Sequence, residues 1–307
     1  MLPFVRRRLL LSLLTLFGVT VLVFLATQII PGDPTLLLAG PYATKEDIEA
    51  LRVYLGLDKP PIVQYLMWLS RVLRADFGTS WATRMPVVYE IAPRWVNTFA
   101  LAITATLVAT VIGLGTGIFS ATRRDTIPDH LSRIVALLGV SMPLFWTGLL
   151  LMALFAVRLG WLPTSGNETP LHYVLPSLTL GIYYAALLSR TTRASMVEIM
   201  SMDYVRTARA KGLPESVVIF KHALRNALIP VITVLGIQFG YLLGGAVVVE
   251  TIFRWPGIGS LMINSILTRD FPMMQAAIMV FALSVLFVSL VVDLLYAVVD
   301  PKIRYET

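Results

Sequence analysis

The 307-residue chain contains no cysteine, which excludes disulfide staples, Cys-ligated zinc and iron–sulfur clusters and leaves the redox compartment open. Charge is scarce too. Asp, Glu, Lys and Arg make up 14% of the residues, against about 25% in an ordinary soluble domain, too few to cover a water-soluble body of this length. The three histidines, His130, His172 and His222, are scattered, with no second ligand three or four residues further on, so no metal site is expected. No lysine follows a glycine anywhere, so the chain has no phosphate loop. An intramembrane protease would need a Ser/His pair or two aspartates at membrane depth. Asp293 stands out as the acidic residue well inside an apolar stretch, less than two turns from its end. No catalytic residue is expected.

What the chain has is apolar length: 57% hydrophobic residues and a mean hydropathy of +0.77. A helix needs about 20 apolar residues to cross the roughly 30 Å of a bilayer's hydrocarbon. Six stretches are predicted to cross: Leu9–Ile30, Thr98–Ser120, Ile134–Val157, Val174–Leu188, Leu228–Thr251 and Met273–Val299. The fourth is short. Pro176 suits a first helical turn, and Arg190 and Arg193 are expected to snorkel to the interface. Arg6, Arg7 and Arg8 resemble a signal-peptide start, but the following apolar run is too long for one, so a retained anchor is expected. The architecture is an all-α membrane protein with six transmembrane helices. Residues 1–30 form the N-terminus and first helix, 31–97 a small helical insert, 98–299 a five-helix core with a loop at 189–227, and 300–307 a tail.

The basic residues orient these spans. The short loops 1–8, 121–133, 189–227 and 300–307 hold 3, 3, 7 and 2 Lys or Arg, while 158–173 and 252–272 hold 1 and 2. Positive loops stay inside, whereas long loops such as 31–97 cross largely regardless of charge. Both termini are therefore expected in the cytoplasm and the insert outside. The net charge of +7 is a topology signal, and nucleic acid is not an expected partner. Membrane lipid is.

The insert is predicted to hold two helices. Thr44 to Asp47 resembles a capping box, Gly56 a stop, and Pro61 a second start. Ile62, Leu66, Leu69 and Leu73 then share a face, with Tyr65, Trp68 and Val72 alongside, suited to a membrane surface. The loop 189–227 reads as two short helices broken at Lys211-Gly-Leu-Pro214, with Gly212 as a left-handed cap. Gly236, Gly240 and Gly244 form a small-residue stripe where another helix can approach closely, and Pro143 interrupts the third span. Plain bundle packing explains these residues as readily as a mobile pathway does.

Asp203-Tyr-Val-Arg-Thr-Ala-Arg-Ala-Lys-Gly212, followed by Lys221-His-Ala-Leu-Arg-Asn-Ala227 and Pro230, resembles the coupling segment of ATP-binding-cassette importer permeases, more narrowly the dipeptide/oligopeptide/nickel class. Co-linear stretches elsewhere agree: Pro31-Gly-Asp-Pro34, Leu55-Gly-Leu-Asp-Lys-Pro60, Asp76-Phe-Gly-Thr-Ser80, Ser141-Met-Pro-Leu-Phe-Trp146, Glu250-Thr-Ile-Phe-Arg-Trp-Pro-Gly-Ile-Gly259 and Asp300-Pro301. In one respect the chain departs from the general pattern. Where that pattern has Glu-Ala-Ala, this chain has Arg206-Thr207-Ala208, so the glutamate's contact is not carried over.

The resemblance implies a type I-like permease bundle forming half of a translocation pathway for peptides or a related small solute. A second, related permease, two ATPase subunits carrying ATP and magnesium, and an extracytoplasmic solute-binding protein would complete it. No cofactor is expected on this chain. The bacterial inner membrane is the implied location. ATPase docking would fall to Asp203, Arg206, Thr207, Ala208, Arg209 and Gly212, and the outer mouth to Phe253, Trp255 and Pro256. The alternative is a stand-alone secondary transporter or channel, which calls for internal repeats, a discontinuous span or ionisable groups near the midplane. The sequence displays none of these.

The charge bias generates a direct test. Single cysteines at Thr79 and Ser201 are expected to react with an impermeant thiol reagent from opposite sides, Thr79 in intact cells and Ser201 after lysis. Reaction of both from one side would refute six spans.

Overall fold

The computed structural model describes residues 2–29, 34–40 and 42–299. Pro31 to Asp33 and the tail 300–307 lie outside the described residues. The described chain is helical: α1 (Leu2–Ile29), α2 (Pro34–Ala39), α3 (Lys45–Leu55), α4 (Pro61–Val72), α5 (Val87–Thr122), α6 (Ile127–Ser141), α7 (Leu144–Leu151), α8 (Val174–Met200), α9 (Asp203–Ala210), α10 (Glu215–Val217), α11 (Leu224–Ile252), α12 (Ile258–Leu267) and α13 (Phe271–Val299). Five of them are long and apolar enough to cross a membrane. A sixth crossing arises if α6 and α7 count as one.

The third span is interrupted where Pro143 was expected to interrupt it, as two helices meeting at 105°. The proline ring at Pro143 disfavours helical backbone at the residue before it. Met142 accordingly sits at φ −80°, ψ 132°, and the chain starts afresh at Leu144. The fourth span is a correction. Instead of ending near Leu188, α8 runs 27 residues to Met200. More than half of its apolar window is buried, against a third at most for the other four. A helix wrapped in protein can carry Ser177, Thr179, Ser189 and Thr192 inside, and those residues shortened its hydrophobic signal. Nor is 189–227 a free loop of two short helices. Its first part is the end of α8; α9 then stops at the expected break, Lys211 to Pro214, and α10 begins the helical stretch that runs on into α11.

The chain divides into two compact units. Of the described residues, the larger comprises 96–260 and 287–299, with α8 against α5, α6, α7 and α11. The α5–α8 contact rests on glycine. A Cβ at Gly117 would lie 2.6 Å from that of Thr192, and one at Gly113 2.8 Å from that of Leu188. One at Gly181 would lie 2.4 Å from Val108 Cγ1. Such small residues let helix backbones approach in a medium where apolar burial drives little association. Hydroxyl pairs Thr104–Ser177 at 2.7 Å and Thr116–Ser189 at 2.8 Å join the same helices. The expected stripe on α11 has a different setting. A Cβ at Gly240 would meet only Ser289 Oγ, at 4.0 Å, one at Gly244 would enter open space, and Gly236 is half-buried.

The second unit comprises residues 2–95 and 261–286. The insert does not stand alone within it. Trp68 and Tyr65 of α4 pack on Val23 and Phe24 of α1 and on Met279, and the Tyr65 and Thr20 hydroxyls are 2.8 Å apart. Thr44 and Asp47 form the capping box reciprocally, and Gly56 closes α3 at φ 71°. Thr44's hydroxyl and amide hold the Asp47 carboxyl below its ordinary range. Leu69 and Val72 join the packed face, while Ile62, Leu66 and Leu73 are 70%, 57% and 79% exposed. The four leucine-type positions therefore do not share one environment. Asp270 caps α13 at Met273 and takes the amides of Trp81 and Ala82 and the Ser80 hydroxyl. That ties Asp76-Phe-Gly-Thr-Ser80 down.

The two glycine sets separate experimentally. Gly117→Leu overpacks the α5–α8 crossing and is expected to cost about 1–3 kcal/mol, read as a lower melting temperature in detergent. Gly244→Leu in the isolated chain is expected to leave melting unchanged.

Candidate functional site

α9 is built to be held from behind. Met202 enters it in extended conformation, and Val205 and Ala208, one turn apart, are 0% and 5% exposed against Ile199 and Val218. Asn226 donates a 2.8 Å hydrogen bond to the Tyr204 hydroxyl. At the far end Gly212 takes φ 77°, and the extended Pro214 precedes the next helix. The Arg209 guanidinium clasps Glu215, Nη2–Oε1 2.7 Å and Nε–Oε2 3.1 Å, and the carboxylate raises the guanidinium pKa. The exposed side then consists of Asp203, Arg206, Thr207, Ala210 and Lys211. The Arg206–Asp203 pair, 3.5 Å apart with side chains 72% and 97% exposed, contributes little to stability. Ala208 is a correction. It was expected on a partner-facing surface, and the structure turns it inward, because the apolar spacing of Val205 and Ala208 selects that face for burial.

In the larger unit three helices, α5, α6 and α8, converge on a buried carboxylate. Asp129, in the first turn of α6, is fully buried. It accepts from Arg193 Nε at 2.7 Å and Nη2 at 2.6 Å, from the Asp125 amide at 3.0 Å, and from the Ser120 hydroxyl. Arg193 is thus no snorkelling cation but the bidentate partner of a buried acid.

The segment after α11 folds on a second buried acid. Glu250 Oε1 accepts from the Thr98 hydroxyl at 2.6 Å and Oε2 from the Ser260 amide at 2.9 Å. Thr98 Oγ1 accepts from the Ile258 amide at 2.9 Å. A Cβ at Gly257 would lie 2.1 Å from Glu250 Oε1, and one at Gly259 2.7 Å from the Val247 backbone. Both glycines are therefore required there. Phe253 and Trp255 are buried. Trp255 Nε1 donates to the Asn97 carbonyl at 3.2 Å and its ring meets Tyr173 edge-on at 4.4 Å, while Phe253 lies against Gly148. The expected outer-mouth pair therefore forms the core of the turn and presents no surface. Pro256 is half-buried and accepts from Asn97 Nδ2 at 2.9 Å. Exposed Arg254, at φ 47°, is what the turn holds outward.

Residues 113–305 match the family of the binding-protein-dependent transport system inner membrane component, and residues 1–102 match the N-terminal region of the membrane component of such systems. The chain belongs to this family. It is 50% identical over 306 residues, 100% of both chains, to the glutathione transport system permease protein GsiC of Escherichia coli strain K12. To the GsiC of Shigella flexneri serotype 5b it is 49% identical over the same span. Among solved structures, the MetNI methionine ABC transporter in inward-facing conformations aligns at TM-score 0.60 and 18% identity, covering 70% of this chain and 98% of that one. An amino acid ABC transporter crystallised with histidines aligns at TM-score 0.53 and 16% identity, covering 68% and 94%. These two share the fold.

The chain is a permease subunit of an ATP-binding-cassette importer and a multi-pass inner-membrane protein. Within this permease the motif stretches prove mainly architectural, with Glu250 to Gly259 a self-contained turn and Ser80 the partner of Asp270. Neither the buried role of Asp129 nor that of Glu250, which heads one of the motif stretches, was legible from apolar context of the kind that makes Asp293 stand out. An acid three residues into a helix start, opposite an arginine inside an apolar run, was the available signal for Asp129. Two glycines at seven and nine residues beyond an acid at a span end were the signal for Glu250. Among the described residues no group of acids and histidines is arranged to hold a metal.

Removing one partner of a buried ion pair strands the other, at a cost of about 3–5 kcal/mol. Asp129→Ala is expected to lower the melting temperature of the permease in detergent accordingly. The double replacement Asp129→Ala with Arg193→Met is expected to recover most of the loss. A double variant as unstable as both singles combined would mean that the two charges act independently.

Proposed function

We propose that this permease forms one half of a pathway that imports glutathione or a similar short peptide-like solute. The substrate class rests on full-length identity of about one half with permeases named for glutathione transport. A second, related permease completes the pathway, two ATPases drive it from the cytoplasm, and a solute-binding protein delivers from outside. ATP and magnesium belong to the ATPases, and this chain catalyses nothing. Both termini face the cytoplasm, in keeping with the 15 against 3 basic residues of the short loops.

The observation that carries the docking role is α9 itself. A helix fastened by Val205, Ala208, Tyr204 and Arg209 on one side leaves Arg206, Thr207, Ala210 and Lys211 exposed on the other. That side is small and basic, suited to a groove on a soluble partner with acidic walls. The broken third span is a feature that a stand-alone transporter was expected to display, but the family match over nearly the whole chain outweighs it.

Thr207→Trp and Arg206→Glu alter the exposed side of α9 and leave Val205 and Ala208 in place. A contact at the centre of an interface is worth about 2 kcal/mol, roughly thirtyfold in affinity. Each change is expected to strip the ATPases from the purified complex while the permease keeps its abundance and melting temperature. Ala208→Trp is expected to lower the melting temperature first. Retained ATPases with either surface variant would remove α9 from the docking site.

A further inference from the structure

In the larger unit α6, α8 and α11, with Ser120 of α5, line an open-sided cavity of about 770 Å³. α6 lines it with Ser132, Arg133, Ala136, Leu137 and Val140, residues spaced to share one helical face. α8 contributes Tyr183, Tyr184, Ala186, Leu187, Arg190 and Arg193, again one face, and α11 contributes Gln238 and Tyr241 one turn apart. No aspartate or glutamate lines it.

The arginines are not equivalent. Arg193 is bound to Asp129. Arg133 leans on His130 and lies 4.0 Å from the same carboxylate. Among the described residues, Arg190 makes no ion pair and no hydrogen bond. Gln238 lies midway along the apolar run of α11. It is only 4% exposed, and neither its amide nitrogen nor its amide oxygen has a partner. A buried amide without partners is costly in an apolar setting, and here it borders an open space. The cavity thus has a cationic end, aromatic and aliphatic walls, and an unsatisfied amide that both donates and accepts.

We propose that this cavity is a way station for a carboxylate-bearing solute crossing the membrane, with Arg190 taking the carboxylate and Gln238 a peptide group. The idea rests on the permease reading of the preceding section and narrows it to anionic peptide-like solutes. Arg190 offers the forked donor geometry that carboxylates prefer. Tyr183, Tyr184 and Tyr241 supply hydroxyls on apolar rings, fitting a ligand that is part polar and part aliphatic. The assignment excludes a strongly cationic solute, which would meet an unpaired guanidinium and no counter-charge.

The test uses the complete transporter in proteoliposomes with its binding protein, comparing uptake of glutathione with that of its diamide, in which both carboxylates are carboxamides. In the wild type the anionic peptide is expected to be favoured. Arg190→Gln is expected to narrow that preference about tenfold, chiefly by raising the apparent KM for glutathione. Arg190→Lys is expected to restore part of it, and Gln238→Leu to raise KM for both peptides. In detergent, millimolar glutathione is expected to raise the melting temperature of the wild-type complex and not that of Arg190→Gln. An unchanged preference in Arg190→Gln overturns the way station and leaves the permease reading intact. Wild-type failure to take up either peptide overturns the peptide reading and the way station with it. Stabilisation through Arg190 by cardiolipin vesicles but not by glutathione assigns the cavity to a lipid headgroup and overturns the solute.

Discussion

Two helix backbones cannot approach closely if side chains stand between them, and the larger unit of this permease is organised around one place where none do. Gly113 and Gly117 of α5 and Gly181 of α8 let the two helices meet until an added Cβ would collide. Hydroxyl pairs along the same crossing then hold the contact. In lipid, where greasy residues gain little by leaving one another's company, such close fitting supplies much of the association energy. With α5 settled on one side, the remaining faces of α8 are open to α6, α7 and α11, and α9 hangs from its end.

Charge plays the complementary part. Asp129 and Glu250 are both fully buried, and both gather donors from segments distant in sequence. Asp129 joins α5, α6 and α8; Glu250 joins the start of the α5 core segment to the turn after α11. A buried carboxylate tolerates few alternative arrangements, because a lost donor is not replaced by water. The glycines fix where helices touch, and the acids fix how their ends are arranged.

The sequence made the class of protein legible because apolar length and basic asymmetry are bulk signals that survive local error. Thr44, Asp47, Gly56 and Gly212 were legible too, since caps and left-handed turns are decided within a few residues. What escaped is non-local. Nothing in the neighbourhood of Gly236, Gly240 and Gly244 distinguishes them from Gly113 and Gly117, and only the partner helix shows which set is in contact within the chain. α8 was under-read for a related reason, as burial in protein relaxes the demand for an unbroken apolar run. Trp255 was expected at the outer mouth because its turn-rich segment lies just past the fifth span, whereas Asn97 and Tyr173 give it a buried seat.

The junctions on either side of α9 are short: Ser201 and Met202 before it, Lys211 to Pro214 after it. Neither is slack. Backbone hydrogen bonds run from Ser201 to Glu198 and from Met202 to Ile199, and the Arg209–Glu215 clasp stiffens the second turn. A displacement of α9, 8 residues long, would therefore find little compliance at either junction and would pass to α8 and α11 together.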